Sequence, residues 1–367
     1  MNKTYIKDLE KIININSYTQ NKVGVDKVGK IMSTWLEKLD FTTEIFQREL
    51  IGNHLLYVSK KKENLPKILL LGHNDTVFPQ GYFENFTQDE EYIYGPGVCD
   101  MKGGNIVALE ALRSIYKQNG SIHNIDFLLV SDEETGSDDS SALTSKIAKD
   151  YDYCFVFEAA GVELELVTAR KGVGKCIVNI EGKASHAGTS YKKGVNANLE
   201  SAHKLQAYSN ITNFEKGTVV NVGKIEGGIG LNTVSPHANM QMEFRFETKE
   251  EKIRVLEEID AITKHSYVDG TKATAQCIIQ RDVMQENEKQ YELIKLFETL
   301  TGKKIKTEKR GGVSDANVVA SQGVTTLDGF GPFGDGDHTK KERALKSSFE
   351  SRIDMVSIIL NYFQKNN

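Results

Sequence analysis

Five short segments of this 367-residue chain concentrate side chains able to hold metal ions or move protons. They are His73-Asn74-Asp75, the stretch Gly97 to Gly104 around Asp100, the run Asp132-Glu133-Glu134-Thr135-Gly136, Phe157-Glu158, and Asp337-His338. Imidazole nitrogens and carboxylate oxygens are the donors a catalytic zinc site uses, and a further carboxylate beside such a site suits general-base work. Each segment also has an ordinary reading. A His-x-Asp fits a turn, an acidic trio suits a helix N-terminus, and Asp100 is placed to cap a helix that begins near Met101. Glu158 is harder to explain this way. It follows Cys-Phe-Val-Phe, and a carboxylate at the end of a buried strand is costly without a partner.

The elements that must bring these segments together are legible as hydrophobic periodicity. Val28, Ile31, Met32, Trp35, Leu36 and Leu39 recur at helical spacing and predict a helix over 25–40. Apolar runs at 41–46, 55–59, 68–71, 127–131 and 153–157 predict strands, the run 68–71 being buried on both faces. A helix over 104–118 separates two of them. This alternation predicts an α/β layer, a mostly parallel sheet flanked by helices. His73, the acidic trio and Glu158 then fall at the carboxyl ends of three strands, the edge at which open α/β sheets bind ligands.

The pattern changes near residue 170. A strand over 172–182, a helix over 197–208, strands over 218–225 and 238–246, a helix over 250–264 and a strand over 271–279 give the order β-α-β-β-α-β of a ferredoxin-like α+β sandwich. The α/β pattern returns after 281, with a helix over 287–300, one after Ser314, a strand over 324–327 and a last helix ending near Phe363. The expected organisation is a discontinuous metal-binding domain, 1–169 and 281–367, interrupted by a smaller domain, 170–280.

Composition narrows the partners. Lys and Arg total 46 against 51 Asp and Glu, a net charge of −5, so nothing in the charge balance attracts nucleic acid or an anionic membrane. No apolar run reaches the roughly 18 residues of a membrane span, and MNKTYIKDLEKIINI lacks a signal-peptide core, which predicts a cytoplasmic protein. Cys99, Cys154, Cys176 and Cys277 are widely spaced, three of them in strand-like runs, and are read as buried thiols rather than as disulfides or metal ligands.

The chain resembles the dinuclear zinc exopeptidases and deacylases, a family that includes glutamate carboxypeptidase, aminotripeptidase, acetylornithine deacetylase and succinyl-diaminopimelate desuccinylase. The likeness is greatest to the glutamate carboxypeptidase branch. It is carried by LLLGHNDTVFP (69–79), YGPGVCDMKGG (94–104), LLVSDEETGS (128–137), VFEAA (156–160), GKASHAG (182–188), GGVSDAN (311–317) and GPFGDGDHTKKE (331–342), in the family's order. The resemblance implies a zinc-exopeptidase type of fold whose inserted ferredoxin-like domain serves dimerisation and closure over substrate. It implies two Zn2+ per subunit, replaceable by Co2+ or Mn2+. One zinc is held by His73 and Glu158, the other by Glu134 and His338, and Asp100 bridges both. Glu133 matches the general base acting on a water or hydroxide shared by the metals, and Asp75 matches the partner of the His73 ring. His186 reads by position as a surface loop histidine. The resemblance makes it an oxyanion-stabilising group supplied by the neighbouring subunit of a homodimer.

Arg245, with Asn232, matches residues that grip a substrate carboxylate, while Arg245 fits equally well on the polar face of a sheet. Glu at position 158 goes with carboxypeptidases and N-acyl amino acid deacylases, Asp with aminopeptidases. The implied activity is hydrolysis of an amide bond next to a free amino-acid carboxylate in a small peptide or N-acyl amino acid, an acidic residue such as glutamate being one candidate product. The alternative is an aminopeptidase on di- or tripeptides. A non-catalytic binding protein on the same scaffold fits less well, because neither Glu133 nor any ligand position is missing.

Overall fold

The structure, a computed structural model, describes residues 4–365 and divides into two compact units. The larger comprises the chain up to Ala169, Glu286–Arg310 and the chain from Ser314 onward; the smaller is Arg170–Gln285 with Gly311–Val313.

The larger unit is built on a six-stranded sheet in the order Thr42–Phe46, His54–Val58, Ile125–Val130, Ile68–His73, Tyr153–Val156 and Thr325–Leu327. The first three strands pair antiparallel and the last four parallel. Ile68–His73 lies at the centre of the parallel part and is buried along its whole length, which is why ILLLGH carries no polar alternation before its final residue. Register matters here. His73 pairs with Val130, and Leu71 with Val156, so the carboxyl ends of three adjacent strands stop at one edge.

Helices Lys102–Asn119 and Lys346–Tyr362 pack on one another, and Ser140–Ala148 packs on Asp315–Ser321. The core joins Phe155, Phe297 and Phe330, with ring centroids 4.9 Å apart for Phe155–Phe330 and 5.6 Å for Phe155–Phe297. A small four-stranded sheet runs Gly334–Asp335, Arg343–Leu345, Tyr92–Tyr94 and Thr87–Gln88. It sets the loop 336–342 beside the turn that leads from Tyr94 to Asp100.

The smaller unit has the ferredoxin-like arrangement. Its antiparallel strands run Lys272–Arg281, Gly172–Glu181, His237–Phe246 and Val219–Gly227, with helices Ala197–Ser209 and Lys249–Lys264 packed on the sheet. Alternation from Gly174 to Glu181 buries Cys176, Val178 and Ile180 against Met240, Met242, Val255 and Ile259.

The cysteine reading needs correction. Cys176 and Cys277 form a disulfide, whereas Cys99 and Cys154 are buried thiols. Antiparallel register places Cys176 directly opposite Cys277. A separation of 101 residues conceals this pairing from a reading by spacing. No described helix is long and apolar enough to cross a membrane.

Candidate active site

Strand register does most of the assembly. His73 is the last residue of the central strand, Glu133 and Glu134 follow Val130 on the turn Glu133–Thr135, and Glu158 lies two residues past Val156. Asp100 ends the crossover that leaves the central strand, immediately before helix Lys102–Asn119, and the peptide bond between Asp100 and Met101 is cis. The N-terminus of that helix runs against the Glu158 strand so closely that a Cβ on Gly104 would overlap the Phe157 carbonyl oxygen. Only glycine permits this approach. His338 enters from the loop 336–342, with its backbone at φ 61°.

Five of the predicted residues converge. His73 Nε2 lies 3.2 Å from Asp100 Oδ1 and 3.8 Å from Glu158 Oε1. His338 Nε2 lies 3.1 Å from Asp100 Oδ2 and 3.1 Å from Glu134 Oε2. Asp100 therefore turns one oxygen toward each of two histidine–carboxylate pairs. Glu133 offers an oxygen that groups with His73 and Glu158, the three donor atoms lying within 4.8 Å of one another. The His73 ring is held from behind, its Nδ1 3.1 Å from the Asp75 carbonyl oxygen and 3.3 Å from Asp75 Oδ1.

Three residues that carry no signal in the sequence make polar contacts around these strand ends, two of them with Asp75 or His73. The Thr19 hydroxyl donates to Asp75 Oδ2 at 2.7 Å, the Asn105 amide donates to the His73 carbonyl at 2.7 Å, and the Ser137 hydroxyl donates to Asp315 Oδ1 at 2.5 Å. All are common polar residues without a sequence signature. Only their place beside the strand ends marks them.

The charge balance calls for cations. Burial and the neighbouring Asp100 push the Glu134 carboxyl up to about 8 and raise Glu158 well above the usual carboxylate range. Contacts with Asp100 and Glu134 raise His338 to about 11. His73 is also raised: burial opposes its charge, but contacts with Asp100 and Asp75 outweigh burial. Without metal, protons must take up the excess negative charge.

The donor set fits a pair of divalent ions. Ligands about 2.0–2.1 Å from a tetrahedral zinc sit about 3.3 Å from each other, close to the separations within each half of the cluster. Two nitrogen and three carboxylate donors, one placed to bridge, match the hard-to-borderline chemistry of Zn2+, Co2+ or Mn2+.

The other predicted residues belong to the smaller unit. His186 and Asn232 are exposed on neighbouring loops, where the Ala187 N–H donates to the Asn232 carbonyl at 2.8 Å and the His186 Nδ1 accepts from the Gly188 N–H at 3.1 Å. Arg245 projects from His237–Phe246. Its Nε donates to Glu243 Oε1 at 2.8 Å and its Nη1 to the Gly311 carbonyl at 3.0 Å.

With this geometry in hand, comparison with known proteins defines the class. Residues 69–362 match the profile of peptidase family M20/M25/M40. The chain belongs to this family and is a hydrolytic enzyme. It is 29% identical over 350 residues to carboxypeptidase G2 of Pseudomonas sp. (strain RS-16), covering 92% of this chain and 83% of that protein. Its fold is similar to that of the aminopeptidase PepT from Bacillus cereus ATCC 10987, with a TM-score of 0.82, 23% identity and 99% of both chains covered. It is also similar to the YXEP protein of Bacillus subtilis, described as a dinuclear metal-binding peptidase of the M20 family, with a TM-score of 0.72, 12% identity and coverage of 98% and 97%.

Proposed function

We propose that the protein is a two-metal hydrolase that cleaves an amide bond beside a free amino-acid carboxylate, acting as a carboxypeptidase or N-acyl amino acid deacylase. The observation that carries this reading is the Asp100 carboxylate, whose two oxygens face two different histidine–carboxylate pairs. His73, Glu158, Asp100, Glu134 and His338 would hold the cations. When bound, the cations supply the Lewis acidity that polarises a carbonyl and acidifies water.

This chain's own residues do the rest. Glu133 takes a proton from the attacking water and delivers it to the departing amine nitrogen, a transfer suited to a carboxylate beside the reacting atoms. Asp75 fixes the His73 ring so that Nε2, not Nδ1, faces the cluster. His186, exposed on its loop, is assigned to oxyanion stabilisation at the site of a second subunit, in a homodimer formed through the smaller unit. Asn232 and Arg245 are assigned to the substrate carboxylate. For Arg245 this means exchanging Glu243 for the incoming carboxylate, which the planar guanidinium fork accommodates. A cytoplasmic setting goes with this reading on composition alone; the Cys176–Cys277 disulfide is a feature commoner in oxidising compartments.

Support for the carboxylate-adjacent substrate comes from the likeness to carboxypeptidase G2 over 92% of this chain and from Glu at position 158. The second reading, an aminopeptidase on di- or tripeptides, draws on the likeness to PepT. A product-resolved assay separates them. N-blocked dipeptides and N-acyl amino acids, supplied with Zn2+, are expected to release their C-terminal amino acid. Turnover of unblocked peptides alone refutes the first reading and favours the second.

A further inference from the structure

The hairpin that delivers His338 also reaches the backbone of the Asp100 loop. Arg343–Leu345 pairs with Tyr92–Tyr94, and this register sets Glu342 against the turn after Tyr94, where the Gly95 N–H donates to the Glu342 carbonyl at 3.4 Å. The Glu342 side chain is fully buried. Its Oε2 accepts from the Gly97 N–H at 3.0 Å, and its Oε1 accepts from the N–H groups of Cys99 at 3.0 Å and Asp100 at 3.1 Å. Three backbone donors thus converge on one buried carboxyl group. Lys102, equally buried, closes the other side of the loop by donating to the carbonyls of Ile12 at 3.0 Å and Ile15 at 2.9 Å.

We propose that Glu342 is a positioning residue for the Asp100 carboxylate, coupling the Asp100 loop to the His338 loop so that both halves of the cation site keep one spacing. The proposal rests on the two-cation reading above. Its physical content is geometric. The direction of a short Asp side chain follows its backbone, and the Asp100 N–H is itself one of the three held groups. Glu342 lies four residues beyond His338, so one short segment carries both a proposed ligand and the anchor of the other. A solvent-exposed acceptor would satisfy the same N–H groups without fixing them. A buried carboxylate bonded to three of them leaves the loop little freedom.

The requirement is specific to a carboxylate of this length. Glu342→Gln keeps the shape but has a single acceptor oxygen, and its amide N–H groups would face a backbone donor. Glu342→Asp keeps the carboxyl group but is one methylene too short to reach all three donors.

Calorimetric titration of the metal-free protein with Zn2+, the visible spectrum after Co2+ loading, and the melting temperature of the metal-free form make the test. Glu200→Gln in the smaller unit is the control, because Glu200 is also a buried carboxylate, accepting from the N–H groups of Tyr267 and Val268. Wild type is expected to take up two ions. Both Glu342 variants are expected to bind Zn2+ about 10–100-fold more weakly, with an altered Co2+ spectrum, kcat reduced and KM within a few-fold. Glu200→Gln is expected to lower the melting temperature with Zn2+ affinity unchanged.

Wild-type affinity and spectrum in either Glu342 variant overturn the proposal. So does loss of affinity no greater than that of Glu200→Gln at equal loss of melting temperature, or failure of both Glu342 variants to fold, since the residue then serves the fold rather than the site. Uptake of fewer than two ions by wild type is a separate failure, that of the two-cation reading itself.

Discussion

His338 stands 3.1 Å from Asp100 although 238 residues separate them in the chain. The contact exists because the small sheet pairs Arg343–Leu345 with Tyr92–Tyr94 and so brings the His338 loop beside the one that carries Asp100. The His338 side chain is 57% exposed, while the other members of its set, Asp100 and Glu134, are 18% and 3% exposed. His338 is therefore the donor that can be removed with least damage to the fold.

Replacing His338 with Ala tests whether the cluster has two halves. The variant is expected to fold, with a lower melting temperature in the metal-free form because Asp100 and Glu134 lose a cationic partner, and to retain one cation instead of two, counted by elemental analysis after dialysis. Amide hydrolysis should fall by about 100-fold or more, because a single ion no longer clamps both the attacking and the leaving atoms.

Glu133→Gln separates proton transfer from metal holding. The amide keeps the side-chain shape but cannot take up a proton. Metal content should stay at the wild-type level and KM within a few-fold, while kcat falls by about 10²–10⁴-fold. Steady-state kinetics beside metal analysis reads both; retained kcat would remove Glu133 from the role of base.

Asp75 acts on the cations through His73 and through the backbone of Glu134, whose N–H donates to Asp75 Oδ2 at 3.3 Å. Asp75→Asn leaves the Thr19 contact available but weakens the hold on the His73 Nδ1. Zn2+ affinity is expected to drop by about 10–100-fold, as for other residues that orient a ligand histidine. Competition against a chromogenic chelator measures it.

The smaller unit has its own pH sensitivity. Glu251 accepts from Arg254 at 2.6 Å and from the Thr218 hydroxyl at 2.6 Å; the Arg254 contact leads in lowering its carboxyl from 4.5 to about 2. A folded-state value below the unfolded one contributes stability that is complete above pH 4.5 and lost as pH falls toward 2. Glu251→Gln should therefore destabilise the unit at pH 7 and flatten its loss of stability between pH 5 and 3, as followed by thermal melts across that range.

The periodic parts of the fold were legible, and so was the strand edge. The wholly apolar ILLL run and the alternation through Cys176, Val178 and Ile180 each admit one burial pattern, and the structure has it. The helix Ser140–Ala148 and the strand Leu166–Arg170 are not legible, because neither carries a clean period: the strand is buried almost throughout and the helix buries only Ser140, Thr144 and Ala148. The two-residue strands Thr87–Gln88 and Gly334–Asp335 are too short to have a period at all.

That last gap matters for the site. The chemistry of His338 is visible in its residue type, but the sheet that carries it to Asp100 is not, and neither is Glu342, which sits in an otherwise lysine-rich, exposed-looking Lys340-Lys341-Glu342 run and yet is fully buried. The Cys176–Cys277 pair failed for a related reason. Cross-strand register, not spacing along the chain, decides which cysteines meet.

Anomalous diffraction from crystals grown with Zn2+ tests the central claim most directly. Two peaks about 3.5–4 Å apart are predicted, one between His73 and Glu158, the other between Glu134 and His338, with one Asp100 oxygen on each. A single peak, or peaks that leave Asp100 uncoordinated, would contradict the account.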